Sequence, residues 1–286
     1  MNMPSIDPVA FKASTREQWD RSAPGWNAHA PQIRAWLAAA TDAMLGMAGV
    51  RRGSRVLDVA AGAGDQTLDI AEHVGPEGQV LATDLSPAIL ALAQQNAERA
   101  GFANVRTRVA DGESLGVAPS SFDAAVCRLG LMFFPDPLAG LREMQRALRP
   151  GGGVCTLVFS RPERNPCITI VMSSALKHAG LPPRDPYMPG GLLSLGKSGL
   201  ADKLFRAAGF DDVATTTIDA PFRLPSVRHY LDFLRSSASP VLQLLGRLDK
   251  ASADAAWAEI EERLSVFETP AGFEGPNELL LTAGRR

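Results

Sequence analysis

The stretch VLDVAAGAG, residues 56–64, decides how this chain reads. A short apolar strand ends in a loop of small residues, and the loop opens a helix. Such a loop lets backbone N–H groups approach a ligand closely, and the helix N-terminus adds positive potential. At the end of the next strand, in VLATDLS, stands Asp84. An acidic side chain there can accept both hydroxyls of a ribose, and strand ends at the first crossover of an open sheet are where nucleotides bind. Asp84 could instead cap the following helix, but Ser86 is better placed for that. Together the two segments predict a nucleoside-containing cofactor.

Outward from the loop, strands and helices alternate. Strands are predicted at residues 55–59, 79–83, 104–109, 122–127 and 153–159, with helices over 65–73, 87–100 and 137–148. Ser86-Pro87 and Asp136-Pro137 each set a capping side chain before a proline at the first helical position. This rhythm means βαβ units and a parallel sheet. The near-continuously apolar strands mean helices on both faces. Ahead of the first strand, apolar residues at helical spacing run from Ile33 to Ala48 and stop at Gly49. Residues 1–20 read as a loose arm. Past Ser160 the rhythm breaks. A helix is expected over 168–179 and another over 199–208 with Ser198 as its cap. A strand is expected over 213–220, helical pieces over 227–267 broken at Pro240, and a last strand at 278–282.

The dinucleotide fingerprint wants G-x-G-x-x-G/A. Here Gly62-Ala63-Gly64 is followed by Asp65, Gln66 and Thr67. The third small residue is missing, and Asp65 would face a pyrophosphate unfavourably. This disfavours an NAD(P)-dependent oxidoreductase, the main alternative. Asp58 adds a second acid ahead of the loop, and a carboxylate inside VLDV is costly without a partner, so it reads as ligand-binding. A cationic ligand without phosphates fits better: S-adenosylmethionine (SAM) has a ribose, an adenine, a sulfonium and a zwitterionic tail.

On these residues the chain resembles the class I SAM-dependent methyltransferases, specifically the small-molecule branch similar to ubiquinone/menaquinone C-methyltransferases. The first motif, V-L-D-x-G-x-G-x-G, is matched with Ala60 in the first glycine's place. The run FDAAVCRLGLMFFPDP over 122–137 and LRPGGG over 148–153 also look like this family. The resemblance is strong over about residues 15–160 and weak over 161–286. It implies an α/β, Rossmann-like fold: a mostly parallel seven-stranded sheet, one strand antiparallel, with helices on both faces and a helical lid. Residues 1–50 would form an arm and helix covering the cofactor. Residues 51–286 would form the SAM-binding domain, with lid insertions at 161–196 and 226–267.

The resemblance assigns the cofactor to Asp58, Ala60, Ala61, Gly62, Ala63 and Gly64, then to Asp84, Leu85 and Ser86, and to Asp111 with Gly112 as the adenine acid and its neighbour. Arg128 leaves an apolar strand at its carboxyl edge, where it can pair with the cofactor carboxylate. Trp19, Trp26 and Trp36 are spaced to share one helical face as core. The resemblance adds a second role for Trp26, cation–π contact with the sulfonium. The expected function is methyl transfer from SAM to a small apolar or aromatic acceptor through O, N, C or S. A non-catalytic SAM-binding protein is a further alternative. If the acceptor must lose a proton, the candidate bases are His178, His229, Tyr230 and His29. Val227, Tyr230, Leu231 and Leu234 share one helical face, so Tyr230 is expected to line an apolar pocket and His229 to stand at the rim.

Composition narrows the partners. The chain has 286 residues, 45% apolar and 21% charged, with formal net charge −2. That balance leaves no footprint for nucleic acid and no polybasic membrane patch. No apolar run reaches the length of a membrane span. Cys127, Cys155 and Cys167 form no CxxC, and the histidines show no HExxH spacing, so no metal site is expected. The default address is the cytoplasm, and an oligomer is possible but not indicated. Residues 191–198 match the pattern G-x-x-x-x-G-K-[ST], but no strand precedes them, so they read as a loop.

Overall fold

The computed structural model describes residues 7–286. The expected strands form β1 (Arg55–Val59), β2 (Gln79–Asp84), β3 (Val105–Val109), β4 (Phe122–Arg128) and β5 (Leu148–Phe159). They are joined late in the chain by β6 (Asp211–Asp219) and β10 (Glu278–Arg285). The seven strands lie in the order β3-β2-β1-β4-β5-β10-β6. The first five are parallel, and β10 runs antiparallel between β5 and β6. A small second sheet joins β7 (Phe222–Leu224), β9 (Gly272–Gly275) and β8 (Glu268–Thr269).

The chain winds outward from β1 through α3 (Asp65–Val74) and α4 (Pro87–Arg99) to β3. It then returns through β4 and α5 (Pro137–Ala147) to β5. Right-handed crossovers therefore place α3 and α4 on one face and α5 on the other. On the first face α2 (Ala30–Ala48), ended by left-handed Gly49, packs against α3 and β5. On the second, α7 (Leu200–Ala207) packs against α5 and β6. β1 lies between β2 and β4, its side chains sealed except at Arg55, and its carboxyl end opens at the reversal of strand order where ligands bind such sheets.

Several local expectations are corrected. Of the predicted arm, residues 1–6 lie outside the described residues, and the rest is helix α1 (Pro8–Ala28). Asp7 caps it through Val9 N–H, and Asp20 fastens its middle by accepting from Ser86 Oγ at 2.5 Å. α1 carries little apolar periodicity of its own; its contacts with α4 and a later helix hold it. β5 begins at Leu148 rather than 153, because the Pro150-Gly151-Gly152 turn bulges within the strand and is bonded to Arg286. Ser198 does not cap α7: Gly199 stands there at φ 72°, with no side-chain cap. The 227–267 region is three helices, α8 (Val227–Ser237), α9 (Ser239–Leu245) and α10 (Lys250–Leu264), and the first break falls at Ala238, with Pro240 inside the first turn of α9. Trp36 does not share a helix with Trp19 and Trp26; it lies on α2 and packs on Phe159 and Phe222. Residues 191–198 are loop and turn.

α6 (Pro166–His178) packs against α9 and α10, and α8 packs against α1. The two insertions thus meet on the side of Leu129 and Phe159, at the carboxyl ends of β4 and β5.

Candidate functional site

The loop after β1 turns through three left-handed residues, Ala60 (φ 56°), Gly62 (φ 59°) and Gly64 (φ 87°). Only Ala60 carries a Cβ there, at a strain of about 1–2 kcal/mol. The turn brings Gly62 N–H to 3.0 Å from Asp84 Oδ2, while Ser86 N–H reaches Asp84 Oδ1 at 2.9 Å. Burial pushes the Asp84 carboxyl up, against the pull of these two donors. Ser86 is the N-cap of α4, accepting from Ile89 N–H at 3.1 Å.

A cleft open to solvent at one side runs along this loop, its empty space about 940 Å³ with the open solvent counted in. Ala60, Ala61, Gly62, Asp84, Leu85, Asp111, Gly112, Arg128 and Trp26 line it. Asp58, Ala63, Gly64 and Ser86 do not. Asp58 is fully buried, and its two oxygens accept from Gln66 Nε2 and from Thr67 Oγ at 2.6 Å. Its partner is therefore the start of α3, and its work is to hold the loop. Burial outweighs these bonds and pushes its carboxyl up to about 7. Arg128 is already engaged: its guanidinium donates to Asp65 and, at 2.8 Å, to Thr41 Oγ, with both charges nearly sealed.

Sequence reasoning missed the part α1 plays. Lys12 Nζ bonds Asp111 Oδ2 at 2.6 Å and Glu113 Oε2 at 2.5 Å across the cavity mouth. Lys12, Thr15, Trp19 and Trp26 all line the cavity. Their spacing is that of one helical face, a signal legible only once 8–28 is known to be helix. Trp19 and Trp26 meet edge to face at 5.6 Å, and the Trp26 indole stands over Gly62.

A second, apolar chamber, itself partly open to solvent, abuts the first. The two share Trp19, Trp26, Leu129 and Phe133. Leu129 sits at φ 55°, a conformation costly for a bulky residue, at the wall between them. The chamber is built from Phe159 of β5, Ile168, Val171 and Met172 of α6, Tyr230 and Phe233 of α8, and Trp36.

Of the four candidate bases, Tyr230 lines one of these two cavities and the three histidines line neither. His178 is bonded to Glu259 at 2.9 Å, in a polar cluster between α6 and α10. The Lys177 ammonium first, then His178, hold Glu259 well below the usual carboxylate range, at about 2. His229 is exposed and bonded to Ser226 at 2.8 Å. His29 bonds the Gly25 carbonyl at 2.9 Å and packs edge-on to Phe233. Replacing any of the three by Ala is therefore expected to change turnover less than tenfold, whereas a positioned base contributes about 10²–10⁴-fold. Single-turnover rates of the three variants check this, and a hundredfold loss in any of them would contradict the geometry.

The site fits SAM on three observations. Asp84, the acid at the end of β2, lines the cavity beside Gly62 of the loop. Phe134, lying over Gly112, walls the opposite end. Gln66 Oε1, on a residue that lines the cavity, is buried and unpaired, an acceptor left for an ammonium. Among the described residues no group of His, Cys, Asp and Glu is placed to hold a metal, and no helix is long and apolar enough to cross a membrane.

The profile of the ubiE/COQ5 methyltransferase family matches residues 32–175, from α2 through the sheet's first five strands into α6. The chain belongs to this family. Within the ubiE/COQ5 family it is similar to a ubiquinone/menaquinone biosynthesis C-methyltransferase UbiE of Idiomarina loihiensis, 41% identical over 115 residues, 40% of this chain and 46% of that one. It is also similar to a demethylmenaquinone methyltransferase of Staphylococcus aureus, 39% identical over 114 residues, 40% of this chain and 46% of that one. The chain spans about half the length of the curated relatives it matches. Over most of its length the fold is that of the YcgJ protein of Bacillus subtilis (TM-score 0.58, 17% identity, 87% of this chain and 98% of that one). The family match extends the resemblance read from the sequence into α6, the first wall of the chamber.

Proposed function

We propose that this protein transfers a methyl group from SAM to an apolar aromatic acceptor of the quinone type. The junction carries the reading: a cavity with the donors and acceptors for a nucleoside meets a chamber walled by aromatic and aliphatic side chains at Trp19, Trp26, Leu129 and Phe133. Bound SAM supplies a methyl already activated on a sulfonium. The chain's own part is to bind, orient and exclude water. Asp84 accepts from the ribose hydroxyls, Gln66 Oε1 and Gly62 hold the amino-acid end, and Asp111 faces the adenine. Trp26 and Trp19 close the junction against water and offer their ring faces to a cation. The helices of 161–196 and 226–267 serve as a lid over the acceptor.

The names of the curated relatives say that they act in ubiquinone or menaquinone synthesis, and the chamber's aromatic walls suit such a ring. The three cysteines are free and buried, which suits a reducing compartment, and we assign the protein to the cytoplasm. Isothermal calorimetry with SAM and with NADH tests the reading, followed by transfer of labelled methyl to a naphthoquinol. SAM is expected to bind and NADH not to. Absence of SAM binding would overturn the proposal.

The Asp58–Gln66 pair adds a sharper test. In Asp58→Asn the new amide faces the Gln66 amide nitrogen, and turning Gln66 over restores a hydrogen bond inside the core. Nε2 then replaces Oε1 as the atom left to meet the ammonium. Loss of one hydrogen bond to a charged group is worth about 1.5–3 kcal/mol, so SAM should bind at least about tenfold more weakly. The melting temperature is expected to stay within a few degrees. Unchanged affinity in a folded variant would remove Gln66 from the site.

A further inference from the structure

The apolar chamber is lined by a phenol whose hydroxyl has no bonded partner among the described residues. Tyr230 is 5% exposed. Its ring stacks on Phe273 at 5.1 Å, with 22° between the planes, and packs against Phe222 at 5.2 Å, so neighbouring rings fix the direction of the phenol. No group among the described residues bonds its hydroxyl, and that oxygen is not sealed in the core. Tyr230 lines the chamber. Two donors in the same wall are used: the Ser237 hydroxyl donates to the Phe233 carbonyl, and the Trp36 indole donates to the Ala220 carbonyl at 2.6 Å.

An apolar ligand that displaces water from this hydroxyl leaves it unpaired, and a ligand that supplies an acceptor avoids that cost. We propose that Tyr230 orients the acceptor, its hydroxyl donating a hydrogen bond to an oxygen carried on the acceptor's aromatic ring. The role is that of a donor and not of a base, because burial pushes the phenol's pKa up and keeps its proton in place. The ring is held from one side by this bond, and its neighbouring position is turned toward the junction at Trp26 and Leu129. Rings without an oxygen are disfavoured because they leave the hydroxyl desolvated and unpaired. The inference deepens the proposed function and rests on the chamber being the acceptor site.

Equilibrium dialysis with two probes of equal shape tests it, in the presence of S-adenosylhomocysteine: 2-naphthol, which has the oxygen, and 2-methylnaphthalene, which lacks it. In Tyr230→Phe the affinity for 2-naphthol is expected to fall about five- to tenfold, the range of a net hydrogen bond. The affinity for 2-methylnaphthalene is expected to hold or rise. Tyr230 lies outside the cofactor cavity, so equal affinity of both proteins for S-adenosylhomocysteine shows that the variant is folded. A 2-naphthol affinity that is the same in both proteins overturns the role of Tyr230 and leaves the chamber as acceptor site. If neither probe binds the unaltered protein, the acceptor site itself is overturned, and this role with it.

Discussion

Replacing Asp84 by Ala is expected to weaken SAM binding at least a hundredfold. The carboxylate is the acceptor proposed for two ribose hydroxyls, and each bond to a charged acceptor is worth about 1.5–3 kcal/mol. Two such bonds correspond to about two orders of magnitude or more in affinity. The substitution also releases Gly62 N–H, held at 3.0 Å, and so loosens the glycine loop that shapes the cavity. Ser86 still caps α4 through its own hydroxyl, so the helix stays formed. Calorimetry on a protein shown to be folded gives the value. Affinity within a few-fold of the unaltered protein would remove Asp84 from the ribose site.

The second large effect concerns stability. A Cβ added at Gly130 would stand 2.4 Å from the Ala60 methyl and 3.0 Å from Cys127 Sγ. Neither neighbour has room to yield, because Ala60 is locked in a left-handed turn and Cys127 is fully buried. Overpacking of a tight core costs about 1–3 kcal/mol, and a backbone this close puts Gly130→Ala at the top of that range. Ala60→Gly removes the opposing methyl and the strain at φ 56° together. Alone it should be neutral or stabilising. Combined with Gly130→Ala it should recover most of the loss, since residues in contact do not act additively. Denaturant unfolding of the four proteins measures the coupling. If Gly130→Ala costs the same in both backgrounds, the contact does not govern the site.

That pair shows where reading a sequence stops. Alanine at position 60 looks like a mild departure from a glycine motif. Only the folded chain shows that its methyl is accommodated by the missing side chain of Gly130, far along the sequence. The strands β1 and β2, the cap at Ser86 and the stop at Gly49 were all legible beforehand, because each rests on local chemistry: apolar runs, a hydroxyl before a proline, a glycine free to turn left-handed. The family was legible for the same reason, since its motifs lie at strand ends in chain order.

The helix α1 was not legible. Its sequence is polar, without a clear apolar stripe, and its stability comes from Asp20 on Ser86 and from packing on α4 and α8. Long-range partners also reassigned individual residues. Asp58 read as a ligand group because a carboxylate in a strand needs a partner, and the partner proved to be Gln66 and Thr67. His178 read as a possible base, and Glu259 from a helix distant in sequence holds it away from both cavities. Spacing places Tyr230 on an apolar face, and the fold buries that face, because periodicity reports which side of a helix packs inward.

Nearest-neighbour patterns encode the parallel core, the place of the glycine loop and Asp84 within it, and the family. Only the folded chain brings Lys12 to Asp111, sets Trp19 and Trp26 at the junction with Trp36 deeper in the chamber, and lets residues of two insertions line that chamber. Those depend on where distant segments meet, and burial and charge pairing between them leave no local mark in the chain.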